Sequence, residues 1–518
     1  MAAYLIRISA GTILDSTRTD MERRDAIIVG GRVLDFDGDL DLPAVADIFI
    51  ENGRIAAVGE AASQRAMNRS DVERIDAAGK LVIPGLVNAH YHSHDVMLRG
   101  LFEQMPLDVW GFYSFPGNYS RRSRADIYLR TVLGAMECLV NGITTVQDMV
   151  TVVGDDREHV DAILGGYEDC GARVVLGLQV VDRAAADCVP YWDGLSQHAS
   201  SQLRRSANTA GLQKLIEELI VGTSRPRLRW ALAPSAPQRC SDALLSWATD
   251  LARAHDLQIF THLYEARSQA VLARMSYPNA SLLDHMAKFG MLGPRLTIAH
   301  GVWISDQELA QFGAAGANLA FNPMSNMKLL NGFAPIRQYI AAGAGVGLGC
   351  DNCSGNDAQS LFQSMKMFAL YWGLQSPAGD AGAARQALHA ATIGGARAVG
   401  MEGEIGEIKP GYRADLVLID LDAACYRPLN SAVRQLVYGE TGTAVDTVIV
   451  DGKVVVRNRE PVARSARALK AAAEEAKLRL QPDIDAVAAR NKTFVDELLS
   501  AYRKAEQYPL DFDRYSMR

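Results

Sequence analysis

Two histidines one residue apart, His90 and His92 in PGLVNAHYHSH, are the sharpest chemical signal in this chain. Side chains two apart on an extended strand face the same side, so both imidazoles can reach one ion. Three further groups end apolar, β-branched runs: His262 closes QIFTH, His300 closes LTIAH and Asp351 closes GVGLGCD. Nitrogen and carboxylate donors suit zinc, or a comparable transition metal such as iron, better than calcium or magnesium. With His90, His92 and His262 as neutral ligands and Asp351 as a carboxylate ligand, one divalent ion would lower the pKa of a water it holds to near neutrality. The reaction class implied is hydrolysis. Glu265 follows His262 by three residues in HLYE, where its carboxyl can take a proton from water and return it to a leaving group. His300 is then placed to polarise the substrate or orient the attacking oxygen, and Asp351 to accept a proton during attack.

Such distant residues need a scaffold that gathers strand ends. Eight short apolar runs alternate with segments of helical period between Val82 and Asp351: 86–92, 143–148, 173–179, 228–233, 258–262, 296–300, 317–321 and 346–351. Eight strand-helix units over about 270 residues match an α/β fold of the (β/α)8 TIM barrel type, whose active sites form at the C-terminal strand ends. On either side lie short strands with Asn-Gly, Gly-Gly or Asp-Gly turns, in IIVGGRVLDFDG, DIFIENGRIAAVG and VERIDAAGKLVIPG before, then ADLVLIDLD and DTVIVDGKVVVRNRE after. Their shared character predicts one small, discontinuous β-sandwich, formed by 1–82 and 401–461 around a barrel at 83–400. From Ala466 the composition turns helical, and Pro482 is expected to divide a two-helix tail within 462–518. That tail can cover its own barrel or clasp a second subunit.

Composition excludes several classes. Lys plus Arg number 53 against 60 Asp plus Glu, a net charge of −7, which argues against a nucleic-acid partner. At 48% hydrophobic and 22% charged residues the chain is an ordinary globular one. No apolar run approaches the ~20 residues of a membrane helix, and MAAYLIRISAGTILD lacks a basic start, so a soluble cytoplasmic protein is expected. Seven scattered cysteines do not form a secreted disulfide framework; only Cys350 and Cys353 make a C-x-x-C.

The motifs PGLVNAHYH, NGITTVQDM, THLYE, AHGVW, NPMSNMKL, GLGCDN, ATIGGARAVG and EIGEIKPGYRADLVLID together resemble the amidohydrolase superfamily. The resemblance is to its metal-dependent aminohydrolase branch, which includes cytosine, guanine and S-adenosylhomocysteine deaminases and triazine hydrolases. It covers roughly Asp25 to Pro461. It implies that His90 and His92 from the first strand, His262 from the fifth and Asp351 from the eighth hold a metal, with Glu265 and His300 catalytic. Cys350 and Cys353 then merely bracket a ligand aspartate. Other branches bridge two metals with a carboxylated lysine on the fourth strand, but RLRWALAPSAP has no lysine, which implies one metal per chain. Ser235 stands where the adenosine-type deaminases often carry a histidine, which makes it a candidate substrate contact and, as a departure, argues against an S-adenosylhomocysteine-type substrate. The resemblance also favours a homo-oligomer.

The loop WGFYSFPGNY holds five aromatics, Trp110, Phe112, Tyr113, Phe115 and Tyr119, which can stack a flat heterocycle or anchor the loop. Gln104, Asp108 and Gln179 are candidates to read ring nitrogens or amino groups, and His94 to contact substrate or support the ligands. Lys328 and Arg337 can bind an acidic group or form a salt bridge. His159, His198, His255, His285 and His389 read as structural. The leading expectation is a hydrolytic deaminase of an amino-substituted purine, pyrimidine, pterin or triazine. The alternative is the same machinery on an amide, urea, carbamate or aryl chloride bond. A non-catalytic assembly barrel is the remaining rival, and it would have no need to fill every ligand position.

Overall fold

The computed structural model describes residues 25–203, 209–376, 381–463 and 465–516. The opening MAAYLIRISAGTILD lies outside them. Five strands precede the barrel: β1 (Ala26–Val33), β2 (Val45–Glu51), β3 (Arg54–Val58), β4 (Glu73–Asp76) and β5 (Lys80–Pro84). The barrel strands are β6 (Leu86–His92), β7 (Ile143–Val150), β8 (Arg173–Val180), β9 (Leu228–Pro234), β10 (Gln258–Leu263), β11 (Leu296–His300), β12 (Asn318–Phe321), β13 (Gly345–Leu348) and β14 (Asp351–Asn352). Four more follow: β15 (Leu416–Asp420), β16 (Val445–Val450), β17 (Lys453–Arg457) and β18 (Glu460–Pro461).

Parallel pairing runs in order from β6 to β13, each strand beside the next. The eighth strand is interrupted at Gly349 and Cys350. Its first half, β13, pairs with β12, while its second half, β14, pairs with β6 in the register Asp351↔Tyr91 and Asn352↔His92. The hydrogen bond from Cys350 N to His90 O, 3.2 Å, closes the circuit between them. Ligands from the first and eighth strands are therefore neighbours in one ladder. β6 is buried along its whole length, as expected of a strand with packed helices outside and filled layers inside.

The flanking segments do pair with each other, through β5 and β15, antiparallel. They form a single hydrogen-bonded nine-stranded mixed sheet, not two separate ones. Asn52-Gly53 and Asp451-Gly452 make the expected hairpin turns, with all four φ angles positive between 53° and 77°. Gly30-Gly31 does not: both lie inside β1, where the register slips between Ile28 and Gly31, so this pair makes a bulge and not a turn. At the foot of the barrel the buried Arg173 guanidinium grips Asp415 through two 3.0 Å hydrogen bonds, joining β8 to the start of β15.

The tail also departs from expectation. Pro482 lies within one continuous helix, Ala466–Asn491, and the break comes at Lys492–Phe494 before a second helix, Val495–Gln507. A proline inside a helix costs about 3 kcal/mol. Contacts on both sides hold the helix across it: Leu480 and Val487 are buried, and the adjacent Asp483 accepts from Ser120 and Arg122. The second helix packs on its own barrel, where Arg267 donates to the Ala505 and Tyr508 carbonyls at 2.9 and 2.8 Å.

Candidate metal centre and active site

Four strands, β6, β10, β11 and β14, bring their functional groups together at the barrel mouth. His92 Nε2 lies 3.1 Å from His90 Nε2 and 3.3 Å from His262 Nε2, while Asp351 Oδ1 lies 3.4 Å from His90 Nε2 and 3.5 Å from His92 Nε2. The partners of the other ring nitrogens fix the protons. His92 Nδ1 meets the Met149 carbonyl at 2.6 Å and His262 Nδ1 meets the Ser235 carbonyl at 2.7 Å. A carbonyl only accepts, so each Nδ1 carries the hydrogen and each neutral ring turns a bare Nε2 lone pair inward. Burial depresses these histidines, His90 to about 4, His92 to about 3 and His262 to about 3, keeping them neutral at physiological pH.

Asp351 Oδ1 is buried beside them without a hydrogen-bond partner. Burial alone would raise this carboxyl, but the adjacent His90 and the field of the other surrounding imidazoles pull it well below the usual range, so it is ionised. Converging lone pairs and an orphaned carboxylate oxygen repel one another unless a cation stands among them. The donor set, three imidazole nitrogens and one carboxylate oxygen, fits one divalent transition metal. Every group of three or more metal-ligating side chains that meets among the described residues draws on this cluster.

The two expected catalytic groups flank it. His300 Nε2 is 3.6 Å from Glu265 Oε2 and 3.7 Å from Asp351 Oδ2. His300 sits at φ +72° and Asp351 at φ +60°, a left-handed conformation that costs a non-glycine residue about 1–3 kcal/mol and is typical of functional sites. The fold tolerates that strain to aim both side chains inward. Asn326 Oδ1 accepts from His300 Nδ1 at 2.8 Å, and Asn331 Nδ2 donates to Glu265 Oε1 at 3.1 Å. Burial, only partly countered by His300, pushes Glu265 up to about 7, so it can both take and give a proton near neutrality.

A cavity of about 600 Å3 opens from this cluster, with His92, His262, Glu265, His300 and Asp351 at its inner end. Gln179 and Ser235 line it as expected, linked by a 2.6 Å hydrogen bond from Gln179 Nε2 to Ser235 Oγ. Trp110 lines it too, inside the helix Leu107–Ser114, with its indole nitrogen donating to Ser354 at 3.1 Å. The aromatic loop divides between the two roles foreseen: Trp110, Phe112 and Phe115 face the cavity, whereas Tyr113 and Tyr119 hold the segment together.

Two expected substrate contacts lie elsewhere. Gln104 is exposed and is not on the cavity wall, because the chain turns inward only at Pro106. His94 is buried behind the wall: Nδ1 accepts from Thr151 N and Nε2 faces Asn352 Nδ2, both at 3.3 Å, so it supports the residue beside Asp351. Lys328 pairs with Asp357, and Arg337 stacks on Trp372 with its guanidinium 4.3 Å from the ring centroid; neither lines the cavity. Cys350 and Cys353 are free thiols flanking Asp351. His159, His198, His285 and His389 make structural contacts with Arg122, Thr493, Tyr277 and Phe36.

Sequence reasoning assigned no role to Asn326 and Asn331, although both follow the seventh strand and Asn326 belongs to NPMSNMKL. It also passed over Trp192, Phe494 and Arg239. Trp192 and Arg239 line the cavity, and Phe494 packs behind Phe112 with ring centroids 5.9 Å apart.

A barrel of parallel strands with imidazole and carboxylate donors at its C-terminal mouth defines a class, the barrel hydrolases that work with a divalent metal. The Amidohydrolase family profile matches residues 81–455, and the chain belongs to that family. It is similar to a 5-methylthioadenosine/S-adenosylhomocysteine deaminase of Thermococcus sibiricus, 32% identical over 414 residues that span 79% of this chain and 89% of that protein. A 5'-deoxyadenosine deaminase of Methanothermobacter thermautotrophicus is 30% identical over 442 residues, 85% of this chain and 95% of that one. Among solved structures, a zinc-bound adenosine deaminase from Xanthomonas campestris superposes with a TM-score of 0.76 at 26% identity, covering 89% and 99% of the two chains.

Proposed function

We propose that this chain is a one-metal hydrolytic deaminase of an amino-substituted nitrogen heterocycle, with adenine-type rings the first to try. The observation that carries the reading is the convergence of bare Nε2 lone pairs and Asp351 Oδ1 beside a glutamate poised near neutrality. His90, His92, His262 and Asp351 would hold the ion, with zinc favoured by the donor set and iron the alternative. When bound, a divalent ion supplies Lewis acidity and lowers the pKa of water.

The chain's own groups supply the rest. Glu265, oriented by Asn331 and by a 2.9 Å hydrogen bond from its own backbone N–H to Gln269, takes a proton from water as the oxygen bonds to the ring carbon. It returns that proton to the exocyclic nitrogen, the carbon–nitrogen bond breaks, and ammonia leaves. His300, held by Asn326, directs its Nε2 at the reacting centre, and the ionised Asp351 carboxylate is the second proton acceptor. Trp110 and Phe115 offer faces for a planar ring, and Gln179 and Ser235 offer polar contacts to its edge.

The deaminases named among the relatives support this reading, as does the zinc-bound neighbour. For organisation, we infer a barrel over 83–400, a small discontinuous β domain from 1–82 and 401–461, and a tail over 462–518. The test is ammonia release from aminopurines, pterins, aminopyrimidines and triazines by metal-loaded protein. Ammonia from any of them upholds the proposal. Release of chloride or a carboxylate instead would replace it with the hydrolysis of an aryl chloride or an amide.

A further inference from the structure

The cavity wall carries one lysine or arginine among the described residues, Arg239. It lies four residues past Ser235, in the short turn Pro237–Arg239 that follows β9. Its backbone is fixed, because the Arg239 carbonyl accepts from Asp182 N and Arg183 N at 3.3 and 3.1 Å. Its guanidinium has no such tie: Nε is buried without a hydrogen-bond partner, and among the described residues no carboxylate comes within ion-pairing distance. The acids that flank it are engaged elsewhere. Asp182 accepts from Ser241 N and Oγ at 2.7 and 2.5 Å, and Asp242 faces His285 at 3.5 Å.

A part-buried guanidinium with an idle Nε is incomplete, since a buried donor left unsatisfied costs about 1–3 kcal/mol. A carboxylate or phosphate approaching side-on would engage Nε and one terminal nitrogen together. The metal end of the same cavity offers acceptors instead, with Glu265 and Asp108 on its wall and the Asp108 Oδ2 also buried without a partner. Those carboxyls accept hydrogen bonds from an amino group. Apolar side chains, among them Phe112, Val181 and Trp192, make up much of the remaining wall.

We infer that Arg239 is a specificity residue that binds an anionic substituent, a carboxylate or a phosphate-like group, carried by the substrate away from its amino-bearing ring. The inference rests on the deaminase reading, and it gives the substrate a direction: amine toward Glu265, anion toward Arg239, apolar body between.

The test uses metal-loaded protein and three adenines that carry at N9 an alkyl chain ending in a carboxylate, a phosphonate or a neutral carboxamide. Charge-assisted hydrogen bonds are worth about 1.5–3 kcal/mol, so an anionic probe should exceed the carboxamide in kcat/KM by about 10- to 100-fold, mostly through KM. The stronger of the two acids names the group. Arg239→Met should erase that preference while leaving the carboxamide within about threefold of its original rate, and Arg239→Gln provides a second variant should the first fold poorly. Equal handling of all three by the unaltered protein, or a uniform loss in the variants, would overturn the inference. Calorimetric binding of the same probes separates the two claims. Anion preference in binding, with no ammonia from these probes or from any of the aminopurines, pterins, aminopyrimidines and triazines, leaves Arg239 upheld and the deaminase reading refuted, whereas ammonia release without anion preference does the reverse.

Discussion

The two ends of the cavity are built by different parts of the chain. The metal end is made of barrel strand ends: His92 closes β6, His262 lies in β10, His300 closes β11 and Asp351 opens β14. His92 and His262 are locked by the Met149 and Ser235 carbonyls, supplied by β7 and by the turn after β9. The opposite end is made of loops and of the tail. Trp192, Phe112 and Phe494 pack ring to ring at 5.6 and 5.9 Å, and Asn491 donates to the Phe112 carbonyl at 2.8 Å. A chemical step constrains the first end to one geometry, while the second is free to vary with the substrate's body. The matched family segment stops at residue 455, before the tail that braces this second end.

That contrast can be broken by substitution. Glu265→Gln keeps the shape but removes the proton carrier, so kcat should fall by about 10^2- to 10^4-fold with metal content unchanged. Near-normal turnover in that variant would show that the glutamate is not the proton shuttle. Asn326→Ala frees the His300 ring and should cost about 10- to 100-fold in activity, the usual range for a partner that orients a site histidine. At the other end, Phe494→Ala should act on substrate binding alone, raising KM by about tenfold, equivalent to ~1.4 kcal/mol of lost packing, with kcat and bound metal preserved. A fall in metal content there would mean that the two ends are not separate. The smallest effect belongs to Gln104→Ala, which touches an exposed residue off the wall and should stay within about 0.5 kcal/mol in steady-state kinetics and stability.

The same division explains what could be read from sequence. His90, His92, His262, His300 and Asp351 were legible because each ends an apolar run, and a parallel barrel brings such ends together whatever the intervening helices contain. The expected strands at 86–92 and 296–300 match the observed bounds. Arg239, Trp192 and Phe494 carry no periodic mark. Their place depends on how loops and a distant tail pack, which local pattern does not encode. Pro482 misled for the same reason, because tertiary contacts around Leu480 and Asp483 outweigh its local cost. Gly30-Gly31 has the composition of a turn yet serves as a bulge, since the strand continues into pairing with β5 on its far side.

The claim on which all else rests is that the three inward Nε2 atoms and Asp351 Oδ1 hold one ion. The most direct measurement is the metal content of purified protein by elemental analysis, beside the same analysis of His262→Ala and Asp351→Asn. Close to one zinc or iron per chain is expected, dropping steeply in both variants, and adding zinc to chelated protein should restore activity and raise the unfolding temperature. No bound metal, or a content that those substitutions leave unchanged, would contradict the site.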